Sequence, residues 1–389
     1  MFIRSATRFK PEDGDAVRAI GLMSGTSLDG IDIALVETDG RDLVRLGPSG
    51  YRAYSEAERA KLAAALRQAV DVSDRNARPG AIGEAEELLT RLHAEAVATF
   101  LATHGVDPAT LDVVGFHGQT LVHRPERKLT VQIGDGAALA ARLGIPVMFD
   151  FRAADVAAGG QGAPLVPVFH RALVAQLERP RPVAVLNVGG VANITYCDDE
   201  GDPIACDTGP GNALIDDFMR LRTGAALDCD GDQAARGAVD AAFVARALND
   251  PFFAAPVPKS LDRNAFAHIG KDLAHLSVPD GAATLTALTA KAVARVVAHL
   301  PRAPSTWIVA GGGARNRTLM RLLRQELSPA TVETADAVGW SADALEAQAF
   351  AYLAVRTLHG LPITFPTTTG VAQPLTGGVL AKALPRANA

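Results

Sequence analysis

The stretch Ala19–Thr38, AIGLMSGTSLDGIDIALVET, constrains this chain more than any other. Ile20 and Leu22 lead into a turn of Ser24, Gly25, Thr26 and Ser27, and Ile31, Ile33 and Leu35 alternate on the way out. That period of two predicts two strands joined by a tight hairpin. Gly25 and Gly30 permit positive φ and close approach of the backbone to a ligand, and Thr26 and Ser27 add hydroxyl groups, so the tip suits phosphate oxygens. Ordinary turns favour the same residues. VLNVGGVANITY, Val185–Tyr196, repeats the form of Ile20–Val36 but not its letters. We read an internal structural repeat and expect an α/β fold with two domains of similar topology facing a shared cleft.

The length of 389 residues exceeds one ordinary core. The expected division is a polar N-terminal extension over 1–17, a first domain over 18–166 plus about 366–389, and a second over 167–365. A hydrophobic content of 48% supplies buried cores, and a formal charge of -5 with acidic residues spread along the chain offers no basic stripe for nucleic acid. Residues 1–17 carry Arg4, Arg8 and Lys10 without the apolar stretch of a signal peptide. No uninterrupted apolar run nears the roughly 20 residues that cross a bilayer. We therefore expect a cytoplasmic protein without membrane or nucleic-acid partners. Cys197, Cys206 and Cys229 are odd in number and lack metal-ligand spacing, as reduced structural thiols do.

Helices are expected over Ser55–Val70 and Ala81–His104, the second with Leu88, Leu92, Ala96 and Phe100 four residues apart and Gly105 as its stop. Strands over Leu111–Phe116, Leu129–Ile133 and Pro146–Phe149 each run into a polar or Gly-containing segment: His117-Gly118-Gln119-Thr120, Gly134-Asp135-Gly136 and Asp150–Pro167. Loops after strands are where α/β proteins keep their sites. In the second half Asp207-Thr208-Gly209-Pro210-Gly211-Asn212 follows a short strand and opens a helix through Arg222. Further helices are expected over Gln233–Leu248, Ala282–His299 and Ser341–Leu358. GGGARN, Gly311–Asn316, opens another, where a nucleotide can rest its adenosine or phosphate. No Walker loop occurs, and no G-x-G-x-x-G follows a strand.

Taken in order, GLMSGTSLDGID, GFHGQT, QIGDG, DFRAADVAAGGQGAPL, NVGGVANIT, DTGPGN, GGGARN and the run from Gly339 through Asp343 to EAQAFAYLA resemble the anhydro-N-acetylmuramic acid kinase family. These are bacterial cell-wall recycling enzymes of the actin, Hsp70 and sugar-kinase superfamily. The resemblance implies two actin-like (ribonuclease H-like) domains with an interdomain nucleotide and sugar cleft, ATP and Mg²⁺ as cofactors, and a homodimer. It implies a reaction in which water opens 1,6-anhydro-N-acetylmuramic acid while O6 receives the γ-phosphoryl group. By the same resemblance the nucleotide is held by Gly25, Thr26, Ser27, Leu28, Asp29, Gly30 and Asp32, by Gly189, Gly190 and Asn193, and by Gly311, Gly312, Gly313 and Asn316. The sugar falls to His117, Gln119, Gln132, Arg152, Gln161, Gly209 and Asn212.

That chemistry needs one base and one phosphate cradle at a single sugar. Asp207 is the candidate base; a helix cap is its alternative. Glu346, one helical turn after Asp343 and so on the same face, is the second catalytic candidate, by resemblance positioning water or sugar; a solvated helix pair is the alternative. Superfamily members place an Asp shortly before the Gly-Thr pair for magnesium, but Met23 and Ser24 stand there, leaving Asp29 as the metal candidate beside a cation held mainly by the nucleotide. Arg152 suits bidentate pairing with the lactyl carboxylate, or an internal pair with Asp150 or Asp155. Leu227–Gly237 lacks the Gly and terminal Glu of a calcium loop. Lys259-Ser260 reads as a structural or rim element. Another sugar or acyl kinase of the same superfamily, with Asp207 deprotonating a hydroxyl, is the competing function.

Overall fold

The computed structural model describes residues 16–25 and 27–383. Alternating apolar residues make β1 (Val17–Met23) and β2 (Gly30–Thr38) the expected antiparallel hairpin, with Ile20 opposite Leu35 and Met23 opposite Asp32. There follow β3 (Val44–Ala53), β4 (Val113–Phe116), β5 (Gln119–Arg124), β6 (Leu129–Ile133) and β7 (Val147–Phe149). The second half supplies β8 (Val183–Val188), β9 (Val191–Cys197), β10 (Ile204–Pro210), β11 (Thr306–Ala310) and β12 (Thr331–Thr334), and β13 (Val379–Ala381) closes the chain's strands.

One sheet runs β13-β7-β4-β1-β2-β3 and another β10-β9-β8-β11-β12, with β5 and β6 forming a separate hairpin. Without the edge strand β13, both sheets read third-second-first-fourth-fifth. In each, the first three strands are antiparallel neighbours and the next two run parallel to the first. The repeat seen in the two Gly hairpins is therefore a repeat of topology.

The chain forms two compact units: the described residues through Leu173 with Ala344–Pro366 and those from Val371, and Val174–Asp343 with Thr367–Gly370. This division differs from the expected boundaries at 166 and about 366, most of all at the return to the first unit. The helix Leu345–Leu358 is buried continuously from Ala347 to Arg356, as a helix packed on all sides must be. It lies on β1 and β4 at backbone distance. A Cβ on Gly21 would sit 1.7 Å from the Ala347 carbonyl oxygen, and one on Gly115 2.0 Å from that of Phe350. Buried Arg356 ties the far end down by donating to the Gly40 carbonyl at 2.7 Å and the Pro362 carbonyl at 2.8 Å.

Local capping explains two further differences from the sequence reading. Ser55 and Glu58 form a capping box that starts the helix at Glu56. The helix expected over Gln233–Leu248 is two, Asp232–Arg236 and Ala241–Ala247, because the Asp240 carboxylate accepts the Phe243 N–H at 2.9 Å and begins a new one. The helix Val278–Val296 is the core helix of the second unit. Its extension Val278–His299 is long and apolar enough to cross a membrane by length and composition, yet 72% of its most apolar window is buried inside the protein.

Candidate active site

In the first unit the β1–β2 tip is anchored to the loop after β4. The Ser24 hydroxyl lies 3.3 Å from the Gly118 carbonyl and 3.1 Å from Gln119 Oε1. Leu28 takes positive φ (54°) and its N–H closes the turn onto the Gly25 carbonyl at 3.2 Å. Its side chain is buried, so only its backbone is available to a ligand. Asp29 Oδ1 accepts the Ser27 hydroxyl at 2.6 Å and the Gly30 N–H at 3.1 Å. Asp32 lies within β2 and Thr26 lies outside the described residues. A cavity of about 430 Å³ opens here, lined by Ser24, Gly25, Ser27, His117, Thr120, Arg152 and Glu346 among others.

Arg152 and His117 form the polar wall of this cavity. Nε and Nη2 of Arg152 both lie 3.1 Å from His117 Nε2, and Nη1 donates to the Gly162 carbonyl at 2.8 Å. A guanidinium only donates, so His117 Nε2 is the acceptor and the ring proton resides on Nδ1, which donates to the Gly118 carbonyl at 2.8 Å. Burial, reinforced by the Arg152 charge, pushes His117 down to about 3, so it stays neutral at physiological pH. Of the alternatives for Arg152, Asp150 pairs with Arg75 at 2.5 Å, and Asp155 Oδ2 accepts the Gly162 N–H at 2.6 Å.

Glu346 stands in the first turn of Leu345–Leu358, its side chain exposed on the wall of the cavity. Burial raises its carboxyl above the usual range and the Arg152 charge opposes that rise. Burial lowers Arg152 to about 10, which leaves it charged. Asp343 does not share a helix face with Glu346, as the sequence spacing implied. It precedes the helix and pairs with Arg315 at 2.9 Å in the second unit.

The glutamines separate. Gln119 is fully buried, its Oε1 turned to Ser24. Gln132 donates to Thr120 Oγ1 at 3.2 Å and Thr130 Oγ1 at 2.8 Å, on the wall of a second cavity of about 340 Å³ that also reaches His117, Arg75 and Asp150. Gln161 is exposed. Ser24 and Thr120 line the first cavity without having been singled out as site residues; their position beside the Gly turns was the available signal.

In the second unit Asp207 lies in β10, opposite Asn193, where the register shifts between Asp207 and Gly209. Its N–H donates to the Lys259 carbonyl at 2.9 Å and its Oδ2 accepts the Leu261 N–H at 2.6 Å. Lys259 thus serves Asp207 through its backbone, while its ammonium donates to the Phe252 carbonyl at 2.8 Å. Burial raises Asp207 to about 6 against the pull of the Leu261 N–H. The helix-cap alternative fails, because the helix Ala213–Thr223 starts after Asn212, five residues on.

The candidate glycines at 189, 190 and 311–313 gather at the ends of β8 and β11. The Gly189 carbonyl accepts the Asn212 N–H at 2.7 Å, the Gly190 carbonyl accepts the Gly211 N–H at 3.0 Å, and Asn212 Nδ2 donates to the Val188 carbonyl at 3.1 Å. Gly311 (φ 76°) packs against Asn187 and Val188, Gly312 comes next to Asn212, and Gly313 lies on Val188. Asn316 is engaged as the cap of Arg317–Glu326, its Oδ1 accepting the Leu319 N–H at 2.9 Å. Among the described residues no group of three or more metal-ligating side chains exists.

A duplicated third-second-first-fourth-fifth sheet with a Gly turn at the first hairpin of each copy defines an α/β protein of the actin-like fold class. More narrowly, the chain belongs to the anhydro-N-acetylmuramic acid kinase family, whose model matches residues 17–383. It is 62% identical over 364 residues to the anhydro-N-acetylmuramic acid kinase of Rhodopseudomonas palustris CGA009, covering 94% of this chain and 99% of that one. The enzyme of the same name from Azorhizobium caulinodans is 60% identical over 372 residues, covering 95% and 100%. Among solved structures, the ADPNP-bound activator of 2-hydroxyisocaproyl-CoA dehydratase from Clostridium difficile aligns with a TM-score of 0.42 and 11% identity, over 88% of this chain and 96% of that one.

Proposed function

We propose that this chain uses ATP and Mg²⁺ to open 1,6-anhydro-N-acetylmuramic acid with water and to phosphorylate its O6, giving N-acetylmuramic acid 6-phosphate for cell-wall recycling. Membership of a family named for this kinase activity supports a phosphotransferase acting on a sugar hydroxyl. The observation that carries the mechanism is Asp207, a half-buried carboxylate raised to about 6 with one oxygen fixed by the Leu261 N–H. A base poised near the working pH serves proton abstraction best. Asp207 takes a proton from water, whose oxygen bonds to C1. The C1–O6 bond breaks, O6 attacks the γ-phosphorus and ADP leaves.

Glu346 orients the sugar or the water, and Arg152 pairs with the lactyl carboxylate. Gly25, Ser27 and the backbone of Leu28 approach phosphate oxygens, while Gly189, Gly190 and Gly311–Gly313 accept the rest of the nucleotide. Magnesium prefers few protein ligands and keeps phosphate and water oxygens. Asp29, a hard oxygen donor beside the Gly25 turn, fits that modest demand, and the cation neutralises charge on the phosphates. We further propose a cytoplasmic homodimer.

The test is product analysis in labelled water with ATP, Mg²⁺ and the anhydro sugar. Label at C1 of the 6-phosphate supports the reading; a phosphorylated product without label removes the hydrolytic step.

A further inference from the structure

We infer that His117 is a positioning residue for substrate binding: it takes the inner edge of the Arg152 guanidinium so that the outer edge is presented to the carboxylate of the sugar. This rests on the proposed substrate. Guanidinium carries five N–H groups. One on Nε and one on Nη2 go to His117, and one on Nη1 goes to Gly162. One N–H remains on each terminal nitrogen, and a pair on these two nitrogens can meet the two oxygens of a carboxylate.

His117 cannot itself bind the sugar by hydrogen bonds, since Nδ1 is engaged by the Gly118 carbonyl and Nε2 by Arg152. Its ring is held in turn. It is buried, it packs against Phe350 with centroids 4.7 Å apart, and the Gly118 carbonyl it uses is also approached by the Ser24 hydroxyl. The position of Arg152 is thereby tied to the same loop that anchors the Gly25 turn. A side chain with many rotamers is held in one orientation before the sugar arrives, which lowers the ordering cost of binding.

The experiment uses the full chain with ATP, Mg²⁺ and 1,6-anhydro-N-acetylmuramic acid, comparing His117→Phe, His117→Gln, Arg152→Ala and the double variant His117→Phe/Arg152→Ala. His117→Phe should raise KM for the sugar by about tenfold or more, with kcat within about threefold and KM for ATP unchanged. The double variant should be no worse than Arg152→Ala alone, and His117→Gln, whose Oε1 can accept from Arg152, should recover most of the affinity. Independent, multiplying effects of His117→Phe and Arg152→Ala, or a loss confined to kcat, overturn the inference. A nitrogen-15 spectrum of the ring decides the matter if His117→Phe does not fold. A proton on Nδ1, with an Nε2 signal that moves on Arg152→Ala, agrees with it, and a proton on Nε2 overturns it. Wild-type protein that leaves the anhydro sugar untouched would instead sink the proposed function, and the spectrum would still judge the contact between the two residues.

Discussion

The backbone N–H of Leu261 reaches the Asp207 carboxylate at 2.6 Å, while the Asp207 N–H returns to Lys259 at 2.9 Å, so a short segment clamps this residue from both its ends. The clamp favours the ionised carboxylate and burial disfavours it, and burial wins, leaving Asp207 at about 6. With ionised Asp207 as the base, kcat/KM rises with pH through about 6 and then levels. Leu261→Pro deletes the donor and should move that rise upward by about one pH unit. A pH–rate profile of both proteins checks it; an unmoved profile assigns the rise to another group.

Asp207→Asn should cut turnover by on the order of 10²-fold or more while ATP binding persists, as loss of a positioned base does. It should also make the protein more stable at neutral pH. The folded carboxyl sits at about 6 against an ordinary 3.8, so the native state holds this proton more tightly than the unfolded chain does. Stability from this group is fully present below about pH 4 and is lost as pH rises through about 6. Asparagine carries no such charge, so its advantage is on the order of 1–3 kcal/mol at pH 8 and fades toward pH 4. Thermal melts at the two pH values measure it, and equal melting of both proteins at pH 8 counts against a desolvated Asp207.

Gly21→Ala and Gly115→Ala should each destabilise the first unit by about 3 kcal/mol or more, since a methyl group at 1.7 Å or 2.0 Å from a helix carbonyl forces the helix off the sheet. Chemical denaturation gives the loss, and a change below about 0.5 kcal/mol would mean the helix packs elsewhere.

Asp29→Asn should raise the Mg²⁺ concentration needed for half-maximal activity several-fold, with the anhydro sugar's KM unchanged, as expected when one of few protein oxygens near the cation loses its charge. A Mg²⁺ titration at saturating ATP is the measurement. An unchanged requirement would place the cation on the nucleotide alone.

Much of this architecture was legible because its signals are local. Alternation in Ile20–Leu35 and Val185–Tyr196 wrote both hairpins, Gly105 stopped a helix, and the order of Gly turns carried the family resemblance. The glycines at 189, 190, 311 and 312 were also visible, although only strand order brings them together at Val188 and Asn212. What escaped was nonlocal. Spacing joined Asp343 to Glu346, yet one pairs with Arg315 and the other lies near Arg152, since the helix begins between them. Gln119 and Arg152 both carry polar side chains in segments that follow strands, and the fold seals in the first and sets the second on a cavity wall.

By itself the sequence determined the hairpins and the duplicated order of strands, because periodicity and turn geometry act over a few residues. Tertiary structure alone decided the tautomer of His117, the raised carboxyl of Asp207 and the seat of the last long helix on β1 and β4. Each of these depends on burial and on partners many residues away, and no local pattern encodes the dielectric or the contact that a folded chain creates.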